Sequence, residues 1–274
     1  MQLPENFSFN QQNLQDYVDC TRRFYLRHIQ KLEWPAIESE PVREQESLLQ
    51  LGQQFHLMVQ QNFAGVPAEA ITDSTGDPEL LFWWQEFNAL KINYLPGLKY
   101  CEVLYSVPFA SYRLVAKFDL LIIEAEKKAT IYDWKTSQHP PKRTTLQSRL
   151  QTKVYPLVLS LVSASSKVMS AIDAEKIQMI YWYPDPLISP IQFDYSNSQM
   201  QEDSSYIAGL INEISNRPID SFEKTSQESR CKFCRYRSLC ERGLQAGDIS
   251  KSEESIDTND TIFDIDFDQI SPAD

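Results

Sequence analysis

Apolar positions recur at helical spacing over residues 10–31, where Leu14, Tyr17, Val18, Phe24, Tyr25 and Ile29 can share one face. The pattern predicts a helix there, and Pro35 and Pro41 interrupt the segment after it. A second helix is predicted over 44–63, closed by Gly65 and Pro67, and a third over 79–92, stopped before Pro96 and Gly97. The period then shortens. The segments KYCEVLYSVPFA, YRLVAKFDLLII and ATIYDW are rich in β-branched and aromatic residues and read as three strands turning back on one another. Pro140 and Pro141 end that block, and helical spacing returns over 144–162, with Pro156 a place for a bend. KIQMIYWYP reads as a further strand, PIQFDY as its edge partner, and 197–216 as a last helix. This order predicts an α/β chain in which helices enclose a small mixed sheet.

Composition narrows the class without changing that picture. Of 274 residues, 42% are apolar and 23% charged, which excludes a collagen-like, coiled-coil or wholly disordered chain. No run of about 18 apolar residues occurs, so no membrane span is predicted. The opening MQLPENFSFNQQN lacks a basic start and an apolar middle, so a cytoplasmic protein is expected. Five cysteines in such a chain point to a thiol-bound metal rather than to disulfides.

Net charge changes the picture more, because it is uneven. The total is -12, but residues 246–274 carry nine carboxylates against Lys251 alone, which leaves 1–245 at -4. The expected organisation is a domain over 1–245 and an acidic, disordered tail over 246–274. From Trp134 to Ile172 there is no Asp or Glu, while Lys142, Arg143, Arg149 and Lys153 are present. Arg22, Arg23 and Arg27 form a second basic run, and Arg230, Lys232, Arg235, Arg237 and Arg242 a third. Folded together, these islands would suit a phosphate backbone; apart, they are ordinary solvated faces.

Two constellations carry chemistry. Asp119 lies in AKFDLLII, and Asp133 and Lys135 flank Trp134 at the end of ATIYDWK. Side chains alternate along a strand, so Asp133 and Lys135 share a face. If the two strands pair, Asp119 approaches Asp133, and carboxylates among apolar residues need neutralising. A divalent cation such as Mg²⁺ or Mn²⁺ would do so, with Lys135 beside it; a surface ion pair is the plain alternative. The other constellation is Cys231, Cys234 and Cys240, with Cys20 211 positions upstream. The two-residue gap between Cys231 and Cys234 lets both sulfurs reach one metal centre; structural zinc and buried free thiols stay open. Cys101 reads as a buried strand thiol, and His28 and His139 sit in no motif.

These segments resemble the PD-(D/E)XK nuclease superfamily, specifically its RecB-like exonuclease branch. The resemblance rests on Asp119, on Asp133-Trp134-Lys135, on Gln151 followed four residues later by Tyr155, and on His56 in LGQQFH. It also rests on the opening run YVDCTRRFYLRHI and the cysteine spacing, and spans about residues 8–242; Ala116 stands where a Gly commonly precedes the first Asp. It implies a restriction-endonuclease-like core whose two chain ends meet at a 4Fe–4S cluster on Cys20, Cys231, Cys234 and Cys240. It implies a Mg²⁺ or Mn²⁺ held by His56, Asp119, Asp133 and the Trp134 carbonyl. Glu102, read at the start of the preceding strand, would reach such an ion through water. Gln151 and Tyr155 would support Lys135 and the substrate phosphate. Tyr17, Phe24, Tyr25, Phe233 and Tyr236 are candidate stacking faces for bases. The implied activity is a metal-dependent deoxyribonuclease, an exonuclease on single-stranded DNA ends, with a helicase or other repair protein as possible partner. Alternatives are a CRISPR-associated nuclease that trims DNA ends, or a non-cleaving DNA-binding subunit of a helicase–nuclease complex.

The tail alternates carboxylates with large apolar residues in TIFDIDFDQI. A peptide that docks on a partner is one reading, self-inhibition at a basic DNA track the second, and an inert end the third. Truncation after Gly247 separates them. Self-inhibition requires the truncated protein to bind DNA more tightly and cut it faster, most of all at low salt. Docking instead leaves the isolated protein unchanged while a pull-down loses its partner, and an inert tail changes neither.

Overall fold

The computed structural model describes residues 3–4, 6–33, 40–125, 128–137, 140–165 and 171–243; the acidic tail and His139 lie outside these residues. Its centre is a six-stranded mixed sheet. Strand β3 (Tyr112–Ile123) is the spine, and β2 (Leu98–Phe109) runs antiparallel along one edge of it, from Leu98 opposite Ile123 to Phe109 opposite Tyr112. Two strands share the other edge. The short β1 (Ser8–Asn10) pairs parallel with Arg113–Val115, and β4 (Ala129–Trp134) pairs antiparallel with Leu120–Ile123. Between them, residues 116–119 of β3 have no strand partner on that edge among the described residues. β5 (Ile177–Trp182) then joins β4 in parallel, and β6 (Ile191–Asp194) closes the sheet antiparallel to β5. A parallel β4–β5 pair needs a crossover, and α6 (Arg143–Ser148) and α7 (Leu150–Ser165) provide it.

Each face of the sheet buries its own layer. On one face α7 packs Leu150, Val154, Leu157 and Val158 against Leu114, Ala116 and Phe118, with α1 (Gln11–Asp19) and α8 (Asn197–Asn216) alongside. The opposite layer comes from α3 (Glu40–Phe63), α4 (Ala68–Ser74) and α5 (Pro78–Ala89). There Phe55, Trp83, Trp84 and Phe87 meet Leu120, Ile122, Trp134 and Trp182 in a second, aromatic-rich cluster. Trp134 has no exposed surface and packs edge-on to Phe87 and Trp182. Among the described residues no helix is long and apolar enough to cross a membrane.

Strict alternation of faces fails at one point of the sheet. Along β3, Leu114, Ala116 and Phe118 face the α7 layer, yet Leu120 and Ile122 face the aromatic layer. β2 slips in step: Val103 and Tyr105 pack toward α7, Cys101 toward the aromatic layer. The ladder skips the position between Cys101↔Leu120 and Val103↔Phe118, where Glu102 lies opposite Asp119. Glu102 has φ 54, left-handed backbone that a residue with a Cβ rarely adopts in a strand. The slip therefore reaims two carboxylates inside the sheet.

The mixed sheet flanked by helices agrees with the architecture read from the sequence, but several boundaries differ. The helix predicted over 10–31 is three pieces: α1, α2 (Thr21–Phe24) and a π-helical turn Tyr25–Ile29. Asn10 caps α1 in a capping box, and extended Cys20 separates α1 from α2, where Thr21 Oγ1 and the Arg22 N–H both donate to the carbonyl of Glu223. That tie across 202 positions has no local signal. The helix predicted over 144–162 breaks at extended Arg149, not at Pro156, which sits buried inside α7. β1 and α4 have no counterpart in the sequence pattern, being three and seven residues long and too short to show a period.

Gly97 leads into β2 with φ +111, and a Cβ there would stand 2.7 Å from the Ile123 carbonyl oxygen. Both the backbone and the close approach exclude a side chain. Gly97→Ala is expected to destabilise the protein by about 1–3 kcal/mol through strain at the end of the β2–β3 ladder. A thermal melt within about 1 °C of the parent contradicts this.

Candidate active site

The strand slip and helix α3 converge on one buried point. α3 sends Phe55 into the aromatic cluster and the next residue, His56, onto the distorted strands. His56 Nδ1 lies 3.5 Å from Glu102 Oε1 and 3.6 Å from Asp119 Oδ1. One ligand atom from each of the three falls within 4.8 Å of the others. His56 is 3% exposed and Asp119 6%, so their charges interact with little screening. Lys117, diagonal to Glu102 across the ladder, forms an ion pair with Glu102 Oε2.

A second group adjoins the first. The register that pairs Leu120 with Tyr132, carried one step further, sets Asp119 opposite Asp133. Here β4 turns away, and the Trp134 N–H donates to Asp119 Oδ2 at 2.8 Å in place of a ladder bond. Asp133, 1% exposed, has Lys135 Nζ at 2.8 Å from Oδ2 and accepts from Gln151 Nε2 at 2.6 Å on Oδ1. Lys135 Nζ also donates to Gln151 Oε1 at 2.9 Å, closing a triangle. Because α7 starts at Leu150, its first turn delivers Gln151, and Tyr155 comes one turn later, edge-on to Phe118.

Electrostatics at the site come from burial and neighbours. Burial alone would lower the His56 pKa, but the charges of Asp119, Glu102 and Asp133 outweigh it and raise it to about 9. Burial raises Asp119, and the charge of Glu102 adds to that against His56, the Trp134 N–H and Lys135. For Glu102, burial pulls upward, yet His56 and Lys117 together hold it below its ordinary value. Burial and the charges of Asp133 and Asp119 raise the Tyr155 phenol, which stays protonated. Two buried carboxylates and an imidazole, kept in balance by a proton and an ammonium, are a donor set that suits a hard divalent cation.

The residues singled out in the sequence thus fall into two adjoining groups. The compact set joins His56 and Asp119 with Glu102, whereas Asp133 belongs with Lys135 and Gln151. The Trp134 backbone N–H donates to Asp119. Glu102 lies inside β2 rather than at its start, and its carboxylate meets His56 directly. Glu102 and Lys117 are the residues that sequence reasoning undervalues. The available signal is a carboxylate and an ammonium at diagonal positions in two largely apolar strands, close to Asp119.

The cysteines gather elsewhere. Cys20, at the break between α1 and α2, lines one pocket with Cys231, Cys234 and Cys240, and Arg23, Lys224, Arg230, Arg237 and Arg242 share its walls. Burial raises the Cys234 thiol to about 11 against the opposing charge of Arg23. Cys101 stands apart in β2, pushed up to about 12 by burial. Buried Asp16 organises the rim, with Arg23 at 2.7 Å, Arg27 at 3.4 Å and His28 at 2.8 Å. Much of the basic track expected from composition is engaged inward. Arg230 pairs with Asp19, Lys153 with Asp203 at 3.0 Å, and Arg143 lies 4.3 Å over the ring of Phe193. Tyr17, Phe24 and Tyr236 are buried, so they pack rather than present stacking faces.

The sequence model of the PD-(D/E)XK nuclease superfamily matches residues 8–241. A solved structure from Eubacterium rectale, provisionally named an exonuclease, has TM-score 0.51 and 11% identity over 89% of this chain and 90% of its own. The crystal structure of SSO0001 has TM-score 0.42 and 19% identity over 88% of this chain and 89% of its own. No curated protein matches the sequence.

Proposed function

The chain belongs to the PD-(D/E)XK nuclease superfamily, and from that premise we propose that it is a Mg²⁺- or Mn²⁺-dependent deoxyribonuclease acting on single-stranded DNA ends. Nucleases of this superfamily use divalent metals. The observation that carries the reading is the buried set of His56, Glu102 and Asp119 directly beside the Asp133–Lys135–Gln151 triangle. His56, Asp119 and Glu102 would hold the cation, with Asp133 and the Trp134 carbonyl at its flank. A bound divalent cation supplies Lewis acidity and a water nucleophile at neutral pH. The remaining work belongs to the chain. His56, as the neutral imidazole, would offer a ring nitrogen to the cation. Gln151 fixes Asp133 and Lys135 together, which keeps the Lys135 ammonium in a set place for the charge that develops on a phosphate. Tyr155, held as the phenol, can donate to a phosphate oxygen but cannot act as a base.

We also infer that Cys20, Cys231, Cys234 and Cys240 hold a 4Fe–4S cluster that ties the two chain ends together. The support is their shared pocket, reached from positions 20 and 231–240, and the five cationic side chains around it, which would offset thiolate charge. A helicase or other repair protein is the partner class that fits such a nuclease.

Asp119→Ala, Asp133→Ala and Lys135→Ala are each expected to lower Mn²⁺-dependent digestion of an end-labelled oligonucleotide by about a hundredfold or more. Folding, checked by circular dichroism, and DNA binding are expected to persist. Full activity in a clean preparation of any of the three contradicts the assignment.

Protein purified without oxygen is expected to be brown, to absorb near about 400 nm and to contain about four irons per chain. Cys20→Ala or Cys234→Ala removes the colour and lowers the melting temperature. Stoichiometric zinc without iron selects structural zinc instead.

A further inference from the structure

Lys117 stands at the cation site without a role in cation binding or phosphate chemistry. It is the nearest ammonium to Glu102, whose side chain is only 7% exposed, and it takes Oε2 while Oε1 faces His56. Its own side chain is 22% exposed, so it reaches the site from the rim and can withdraw into solvent. What Lys117 does not do is aim Glu102. The direction of that side chain is set by the backbone, φ 54, clamped between the Cys101↔Leu120 and Val103↔Phe118 pairs. Loss of Lys117 therefore leaves the carboxylate pointing at the same place, short of one counter-charge.

We propose that Lys117 is a stand-in for the divalent cation: it occupies one oxygen of Glu102 while the site lacks metal and yields that oxygen when metal enters. The inference rests on the cation-site reading and deepens it. The charge balance argues for it. Glu102 and Asp119 lie together beside His56 in a buried pocket, and the ammonium paired with Glu102 is that of Lys117. An uncompensated buried carboxylate is costly, and Lys117 removes that cost in the cation-free protein. In the loaded protein the same ammonium sits beside a like charge and opposes binding. Lys117 thus stabilises the empty fold at the expense of cation affinity.

The test measures binding rather than cleavage. Mn²⁺ titration by calorimetry or electron paramagnetic resonance is compared for the parent, Lys117→Met and Lys117→Arg, with melting temperatures in chelator and in saturating Mn²⁺. Lys117→Met is expected to bind Mn²⁺ at least about threefold more tightly. It should melt below the parent in chelator, with the gap narrowing in Mn²⁺. Lys117→Arg keeps the charge and is expected to behave as the parent. On a Glu102→Gln background, Lys117→Met should have no further effect on affinity, because the two act through one contact. General damage to the fold would weaken binding, the opposite sign. Unchanged or weaker affinity in Lys117→Met, with the parent binding normally, overturns the stand-in role alone. A parent that binds no Mn²⁺ overturns the cation-site reading and the stand-in with it.

Discussion

The structure depends on keeping a carboxylate, Asp119, inside the sheet at a place where, among the described residues, its strand has a partner on one edge only. Such a group tolerates burial only if its oxygens are occupied. Neighbouring elements supply that. β1 stops at Asn10 and β4 leaves the ladder after Tyr132, which frees the Trp134 N–H for Oδ2. The matched slip of β2 and β3 sets Glu102 opposite, and α3 brings His56 between them. Removing the irregularity would give a more regular sheet with no place for the three side chains to meet.

The two apolar layers explain why this arrangement can be held. The aromatic layer fixes Trp134 from behind through Phe87, Tyr132 and Trp182, so the backbone between Asp133 and Lys135 has little freedom. The α7 layer fixes Gln151 and Tyr155 through Leu150, Val154 and Phe118. Polar groups of the site thus stand between two rigid walls, one fixing the strand that carries the carboxylate and lysine, the other the helix that carries their partners. Preorganisation of this kind holds short contacts, such as 2.6 Å between Gln151 and Asp133.

Much of this is legible in the chain. The strands around Asp119 and Asp133 announce themselves through β-branched and aromatic runs, and the antiparallel register comes from one short turn. Gln151 and Tyr155 share a face because helical spacing requires it. Cys231, Cys234 and Cys240 can be read together from spacing, Cys20 joins them only through the family resemblance, and all four line one pocket. Glu102 is harder, since its importance arises from a backbone conformation that no residue type at that position signals. The break at Cys20 is equally hidden, because it is enforced by the Glu223 carbonyl, a partner with no local trace. Local pattern reports elements and faces; a distortion shared between two strands, or a tie across 200 positions, is decided by the assembled whole.

The way the N-terminal segment is tied down has a consequence for how the protein is made. β1 leaves the ribosome about a hundred residues before its pairing partner Arg113–Val115. Tyr17 on α1 bonds to Glu213 on α8, and Cys20 shares its pocket with Cys240. At about 5–20 residues per second, translation delivers position 231 roughly ten to forty seconds after position 20. Through most of that interval Tyr17 and Phe24, buried at the end against Phe222, wait without that cover. Synthesis order thus leaves these apolar side chains waiting for cover that only later segments bring.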